Sequence, residues 1–193
     1  MKNNPFIRYQ NLLKTYIDPK AVFVLYEYWS KPDRYWHNLD HLNDMITYIE
    51  KSRHRFEREV FEQLILAAFF HDAIYDTKKT KLNEERSKDL FRKSYIGKDK
   101  KFELVDEAIE CTKYRTKPPM GPLRIFWESD NQIFRKDWMS VLRWEKGIRK
   151  EYGYASDDTY KAARISFLNE NLGLFGPKGD TNIRKLIDYL GDK

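Results

Sequence analysis

Residues 60–75 read VFEQLILAAFFHDAIY and form the most apolar stretch of the chain. Apolar side chains occur on nearly every face of the helix that this stretch predicts, which is typical of a helix in the middle of a bundle rather than on its rim. His71 and Asp72 interrupt the stretch. Because a buried carboxylate without a partner is strongly destabilising, Asp72 must meet an arginine, a set of hydrogen bonds or a metal ion.

Helical spacing of apolar residues continues along nearly the whole chain, and no strand is predicted. The pattern predicts about nine or ten helices. Those with the clearest bounds cover residues 5–17, 20–29, 38–49, 60–75, 80–95, 101–114, 137–152, 159–172 and 181–190. Residues 117–122, KPPMGP, and residues 173–179 are predicted as loops. No repeat or long linker divides the chain, so the prediction is a single all-α domain, a helical bundle over residues 1–193.

The composition supports a single domain in a reducing compartment. The chain has 193 residues, 41% of them hydrophobic, which is enough for one domain with a sizeable core. Cys111 is the only cysteine, so the chain can form neither an internal disulfide nor a multi-thiolate metal site. No apolar run approaches the ~20 residues that span a bilayer. We therefore expect a cytoplasmic protein with no membrane association.

The net charge favours an anionic partner. Lys and Arg number 36 and Asp and Glu number 30, a formal net charge of +6. The excess is spread along the chain, which favours an anionic small molecule over a dedicated nucleic-acid-binding arm. The basic run over residues 53–58 is compatible with nucleic-acid binding, but a solvated helix face explains it more simply. Nucleic acid is therefore not an expected partner.

Three of the four histidines fall in two short clusters. His37 and His41 are four residues apart, so their imidazoles share one face if this stretch is helical. Spacing alone leaves open a chance pair on the surface or in the core. For Asp72 two interpretations also stay open, a metal site that includes His71 and a structural ion pair, for instance with Arg34 or Arg86.

Asp130 is another acid at the edge of an apolar stretch. It follows residues 125–127, IFW, just after the proline-rich loop. Taken alone, Asp130 would be a helix cap, with Ser129 as the competing cap. Taken together, the imidazoles, the His71-Asp72 pair and this aspartate are the mixed nitrogen and oxygen ligands that suit a divalent cation.

The order of these residues resembles that of a known family. His41, then His71-Asp72, then Asp130 is similar to the H…HD…D pattern of the HD-domain metal-dependent phosphohydrolases. The similarity to a branch of predicted HD phosphohydrolases covers most of the chain. It is carried by residues 34–41 (RYWHNLDH), 66–76 (LAAFFHDAIYD), 83–87 (NEERS), 148–152 (IRKEY) and 160–164 (YKAAR).

The resemblance implies an HD-type helical bundle and a metal-dependent reaction. The implied reaction is hydrolysis of a phosphate ester, a nucleotide or other small phosphorylated metabolite, by a metal-bound hydroxide. The predicted ligands are His41, His71, Asp72 and Asp130, and the ion is Mn, Mg, Fe, Co, Ni or Zn. One ion is preferred, although Asp72 has the two oxygens needed to bridge to a second. His37-Asn38…His41 also resembles the opening motif of cyclic-nucleotide phosphodiesterases, which implies that His37 protonates the leaving oxygen.

Five more residues are candidates for the site. Asp76 and Glu84 are candidates for orienting the metal-bound water or a ligand imidazole, and the alternative for each is a solvated or capping acid. Arg34, Lys113 and Arg115 are candidates for binding phosphate oxygens, with surface positions as the alternative.

Two departures from the family pattern motivate a second hypothesis. Residues 128–131 read ESDN where relatives usually have Asp-Ala-Asp-Leu, and Arg115 occupies the position, three residues after Thr112, where relatives tend to have histidine. The alternative is therefore a catalytically weak or inactive HD-fold protein that binds or senses a nucleotide. The oligomeric state is left open, and a homo-oligomer is compatible with the sequence.

Overall fold

The computed structural model describes residues 4–98, 103–113 and 118–192. Within these ranges the protein contains eleven α-helices, three short 3₁₀ helices and no strand, so the all-α prediction is confirmed. The helices are α1 (Pro5–Arg8), α2 (Gln10–Tyr16), α3 (Pro19–Trp29), α4 (Leu39–Lys51), α5 (Arg58–Phe70), α6 (Asn83–Ser94), α7 (Glu103–Cys111), α8 (Gly121–Asp130), α9 (Trp138–Glu151), α10 (Asp157–Glu170) and α11 (Gly176–Gly191). None of the helices in these ranges has both the length and the hydrophobicity that crossing a membrane requires.

The described residues contain more helices than the nine or ten predicted, for two reasons. The helix predicted over residues 5–17 is divided at Tyr9 into α1 and α2. In addition, α8 corresponds to none of the nine predicted ranges given above, and it begins inside the predicted loop over residues 117–122. The predicted helix over 101–114 and this loop both extend beyond the described residues. The positions concerned are residues 101, 102, 114 and 117.

Glycine followed by proline starts two helices where the sequence predicted loops. Gly121 has a φ of +59° and Gly176 a φ of +74°, a region that glycine adopts without the steric cost of a Cβ atom. The proline after each glycine lies in the first helical turn, where its missing N–H costs no hydrogen bond. As a result α11 begins at Gly176, inside the predicted loop over residues 173–179, and α8 begins at Gly121.

The apolar stretch forms the central helix of the bundle, as predicted. Every side chain from Leu64 to Phe70 is at most 3% exposed, and α5 packs against α4, α6, α7 and α8. Trp29 of α3 donates its indole N–H to the backbone oxygen of Phe69, 2.8 Å away, so the one polar group of this buried ring has a partner. The buried hydrophobic residues form one core cluster.

The central helix ends earlier than the sequence predicts. The prediction extended the helix to residue 75, but α5 ends at Phe70 and His71 is its C-cap. Asp72 therefore lies in the turn after the helix and not inside it, and its side chain is 19% exposed. The Arg34 guanidinium stabilises this turn because it donates to the backbone oxygens of Asp72 and Ala73, each at 2.8 Å.

We expect the core to depend strongly on Phe91 of α6, which is fully buried and packs edge-on against Phe70. A Phe91→Ala substitution should lower the free energy of unfolding by about 3–5 kcal/mol, because it leaves a cavity. Phe23→Ala removes the same group from a side chain that is 65% exposed, and should change stability by less than about 0.5 kcal/mol. Urea denaturation of both variants measures the difference. Equal losses would contradict this account of the core.

Candidate metal centre

Two histidines face each other in the interior at the ends of the central helices. His41 lies in the first turn of α4, and His71 caps the C-terminus of α5. Their ring centroids are 5.4 Å apart, and the side chains are 4% and 1% exposed. Within the described residues the Nε2 atom of each ring is buried and has no hydrogen-bond partner. Buried polar atoms are almost always satisfied, so each of these two atoms requires either a proton shared with a neighbouring carboxylate or another partner such as a metal ion.

Two carboxylates complete the cluster. Asp72 Oδ2 lies 3.1 Å from His71 Nε2, and Asp130 Oδ1 lies 3.3 Å from His41 Nε2 and 3.8 Å from His71 Nε2. The ligand atoms of His41, His71 and Asp72 lie within 4.8 Å of one another. Neighbouring ligands of an ion bound at about 2.0–2.2 Å are about 3.0–3.5 Å apart. The structure thus brings His41, His71 and Asp72 together in a group that could hold a divalent cation, and it places Asp130 beside both histidines.

The hydrogen bonds of His71 explain why a cation fits here. Its Nδ1 lies 2.9 Å from the backbone oxygen of Ala68 and must donate to it, since a carbonyl oxygen can only accept. The Nε2 of a neutral ring then turns a lone pair toward the carboxylate of Asp72. That contact is repulsive unless a proton or a cation lies between the two atoms. The same carbonyl bond fixes the ring orientation, as is usual for histidines that bind metals.

The charges of the site reinforce one another. Burial lowers the pKa of His71, but the carboxylates of Asp72 and Asp130 outweigh burial and raise it to about 9. Burial lowers the pKa of His41, and Asp130 offsets this only in part. Burial acts to raise the pKa of both aspartates, yet the two imidazoles hold both values below the ordinary range. These directions favour ionised acids beside a positive charge, either a proton on His71 or a cation.

Among the described residues Asp72 pairs with neither Arg34 nor Arg86, and it contacts His71 instead, at 3.1 Å. Among the described residues no arginine lies within 4 Å of the Asp72 carboxylate, because Arg34 binds backbone oxygens and Arg86 lies 3.9 Å from Asp76 instead. Asp130 is the last residue of α8 and is not an N-terminal cap. Ser129 donates to the backbone oxygen of Phe126 and does not compete for that role.

His37 lies at the edge of the same cluster in a different orientation. It precedes α4, whose N-cap is Asn38, so His37 is not helical and the condition for a helical face shared with His41 is not met. The two rings are nevertheless close, with centroids 5.8 Å apart. His37 Nε2 is 3.9 Å from Asp72 Oδ2, and its ring stacks on Tyr75 at 3.9 Å.

Glu151, at the end of α9, holds His37 in place and was missed by the sequence analysis. Its Oε2 lies 2.7 Å from His37 Nδ1, and its Oε1 accepts from the backbone N–H groups of Trp36 and His37 at 2.7 and 3.0 Å. Burial acts to raise the pKa of Glu151, but these donors hold it below its ordinary value. Since 114 residues separate Glu151 from His37, no local pattern connects the two. The only sequence signal for Glu151 was its place in the 148–152 stretch that resembles the family.

A cavity of about 560 Å³ opens onto the cluster. His37, Asp72, Glu84 and Asp130 line it. Eight aromatic residues form much of the rest of its wall, beside aliphatic and polar residues that include Arg164, and they are Trp36, Tyr75, Phe134, Trp144, Tyr152, Tyr154, Tyr160 and Phe167. Three rings of this wall belong to α9 and α10. The second half of the chain therefore lines the cavity beside a cluster whose residues, except Asp130, come from the first half.

The remaining predicted site residues are divided between several places. Glu84 lines the cavity, and burial raises the pKa of its carboxyl group. Asp76 does not line it, and its Oδ1 accepts from the backbone N–H of Lys78. Lys113 pairs with Glu110 at 3.0 Å and lies 4.0 Å from Glu84. Arg115 lies outside the described residues.

Arg34 is placed in a structural position and not in the cavity of the metal centre. Its guanidinium is buried and donates to the backbone oxygens of His37, Asp72 and Ala73. Burial lowers its pKa, and the charges of Asp72 and Glu151 oppose that effect. Arg34 therefore connects the segment that carries His37 to the turn that carries Asp72.

Comparison of the chain with protein-family models, with curated proteins and with solved structures found no match.

We expect Mn²⁺ to stabilise the protein through this cluster. At a concentration one hundred times its Kd, Mn²⁺ should add about 2.7 kcal/mol of stability, which for a chain of this size corresponds to a rise in Tm of about 5–10 °C. Asp72→Asn should abolish the rise, since the amide is a poor ligand. Thermal unfolding with and without Mn²⁺ measures it.

Asp76→Asn is the matched control for this experiment, because it makes the same change four residues away and outside the cavity. It should keep the full Mn²⁺ effect. A rise that survives in Asp72→Asn, or disappears in Asp76→Asn, would place the ion elsewhere.

Proposed function

We propose that the protein is a metal-dependent hydrolase of phosphate esters. The observation that carries the proposal is the pair of buried Nε2 atoms, on His41 and His71, that have no hydrogen-bond partner and face the carboxylates of Asp72 and Asp130. Two imidazoles and two carboxylates are the donor set of first-row divalent ions such as Mn, Fe, Co, Ni and Zn. A cation bound there supplies an acidified water as nucleophile and offsets the charge of phosphate oxygens.

His37 is the proposed proton donor. Glu151 accepts from Nδ1, so the other ring nitrogen, Nε2, is directed toward Asp72 and the cavity. A proton on Nε2 therefore lies beside the site where the ester oxygen departs. Glu151 acts as a positioning residue because its buried carboxylate accepts from Nδ1 and so fixes the orientation of the ring. Stacking on Tyr75 restricts the rotation of the imidazole.

The cavity supports a small phosphorylated substrate. Its volume of about 560 Å³ lies within the range of small-molecule sites. The aromatic wall offers flat apolar faces to the organic part of the ester, while the carboxylates and imidazoles are gathered at the metal centre. A nucleotide or other small phosphorylated metabolite fits this division into an apolar and a charged region. The net charge of +6 attracts such anions.

Removal and return of metal test this proposal directly. Protein treated with EDTA should release no phosphate from a panel of nucleotides and small phosphomonoesters. Adding Mn, Mg, Co, Ni, Fe or Zn separately should restore release with at least one ion, and Asp72→Asn should stay inactive. Tight nucleotide binding with no turnover under any ion would contradict the hydrolase and favour the nucleotide-binding alternative.

A second experiment should distinguish the role of His37 from that of the proposed metal ligands. His37→Ala should lower kcat by ~10²–10⁴, the usual contribution of a general acid, while the rise in Tm with Mn²⁺ is retained. His54→Ala removes the one histidine outside the cluster, in an exposed 3₁₀ turn, and should change neither quantity. If His37→Ala lost the Mn²⁺ effect together with activity, the assignment of different roles to His37 and His41 would be wrong.

A further inference from the structure

A second cavity of about 550 Å³ adjoins the metal centre. Tyr75 lines both cavities, and Glu151 lines the second while its carboxylate binds His37, which lines the first. The two cavities therefore share a wall built from the residues that hold His37. In contrast to the first cavity, much of whose wall is aromatic, the second is bordered mainly by charged and polar side chains.

The second cavity carries an excess of positive charge. Five cations line it, and they are Lys31, Arg34, Lys78, Arg86 and Lys150. Three acids also line it, and they are Asp33, Asp76 and Glu151. Glu151 is already bound to His37 and to two backbone N–H groups, and Asp76 lies 3.9 Å from Arg86. The five cations and three acids leave the cavity lining with a formal net charge of +2.

Three lysines of the cavity stand over aromatic rings rather than beside acids. Lys31 Nζ is 4.9 Å from the ring centre of Tyr28, Lys78 Nζ is 5.3 Å from that of Tyr154, and Lys150 Nζ is 5.1 Å from that of Tyr35. In the part of the chain that the structure describes, no carboxylate lies within 4 Å of these ammonium groups. A ring positions an ammonium group without consuming its hydrogens, so all three remain able to bind an anion.

We propose that this cavity is a binding site for an oligophosphate group, that is, for two or more linked phosphates. The three ammonium groups come from separate segments. Lys31 lies in the loop after α3, Lys78 in the loop between α5 and α6, and Lys150 in α9. A chain of phosphates offers more charged oxygens to three separate ammonium groups than a single phosphate does. The bound group lies among these lysines, on the side of the shared wall away from the candidate metal centre.

Isothermal titration calorimetry of the full chain with inorganic pyrophosphate tests the site. EDTA is present throughout, so the result does not depend on the metal or on the proposed hydrolase activity. Pyrophosphate should bind at low salt, orthophosphate at least tenfold more weakly, and added salt should weaken both. ADP measured alongside distinguishes the sources, because the tighter of the two ligands shows whether the free or the nucleoside-linked group is recognised.

A charge-matched pair of variants locates the binding. The triple variant Lys31→Gln, Lys78→Gln and Lys150→Gln should weaken pyrophosphate binding at least tenfold. The control Lys20→Gln, Lys51→Gln and Lys178→Gln makes the same change in net charge at exposed lysines that line neither cavity, and should bind as the wild type does. All six side chains are exposed, so both variants should fold. Equal weakening in both variants, or no weakening in the first, overturns the proposal.

Discussion

The structure depends on one buried electrostatic arrangement, in which two imidazoles meet two ionised carboxylates with little access to water. Each carboxylate would be strongly unfavourable alone, and each imidazole lacks a partner on Nε2. A positive charge between them, as a proton on His71 or as a metal ion, makes all four groups compatible. Because α4, the end of α5 and the end of α8 each supply a part, the relative positions of these three helices are tied to that charge.

Two further buried charges fix the backbone around the cluster. Arg34 donates to carbonyl oxygens that the early end of α5 leaves without helical partners. Glu151 accepts from two backbone N–H groups ahead of α4 and from the ring of His37. Both residues lose hydration on burial, and several charge-assisted hydrogen bonds compensate for that loss. These bonds fix the positions of the loops that carry Asp72 and His37.

A wall that includes Tyr75 separates two cavities with different chemistry. Aromatic rings from α9 and α10 line the cavity at the candidate metal centre, which suits the organic part of a small ligand. Lysines and arginines border the second cavity, which suits multiple negative charges. Tyr75 belongs to both, and stacks on the one histidine proposed to act on the substrate. A ligand in either cavity would contact the residues that orient His37.

The sequence by itself determined the all-α class, the central position of the apolar helix and the prominence of His71 and Asp72, because helical periodicity and a histidine-aspartate pair in an apolar stretch are local signals. His41 and Asp130 were singled out as ligands only because the order of all four residues resembles a known family. Tertiary structure alone decided where α5 ends, which acids reach the cavity and which do not, and how His37 is held. Asp76 and Glu84 look equivalent in the sequence, yet only Glu84 lines the cavity. Glu151 binds a histidine 114 residues away. Such contacts depend on how helices pack over long separations, and no local pattern encodes them.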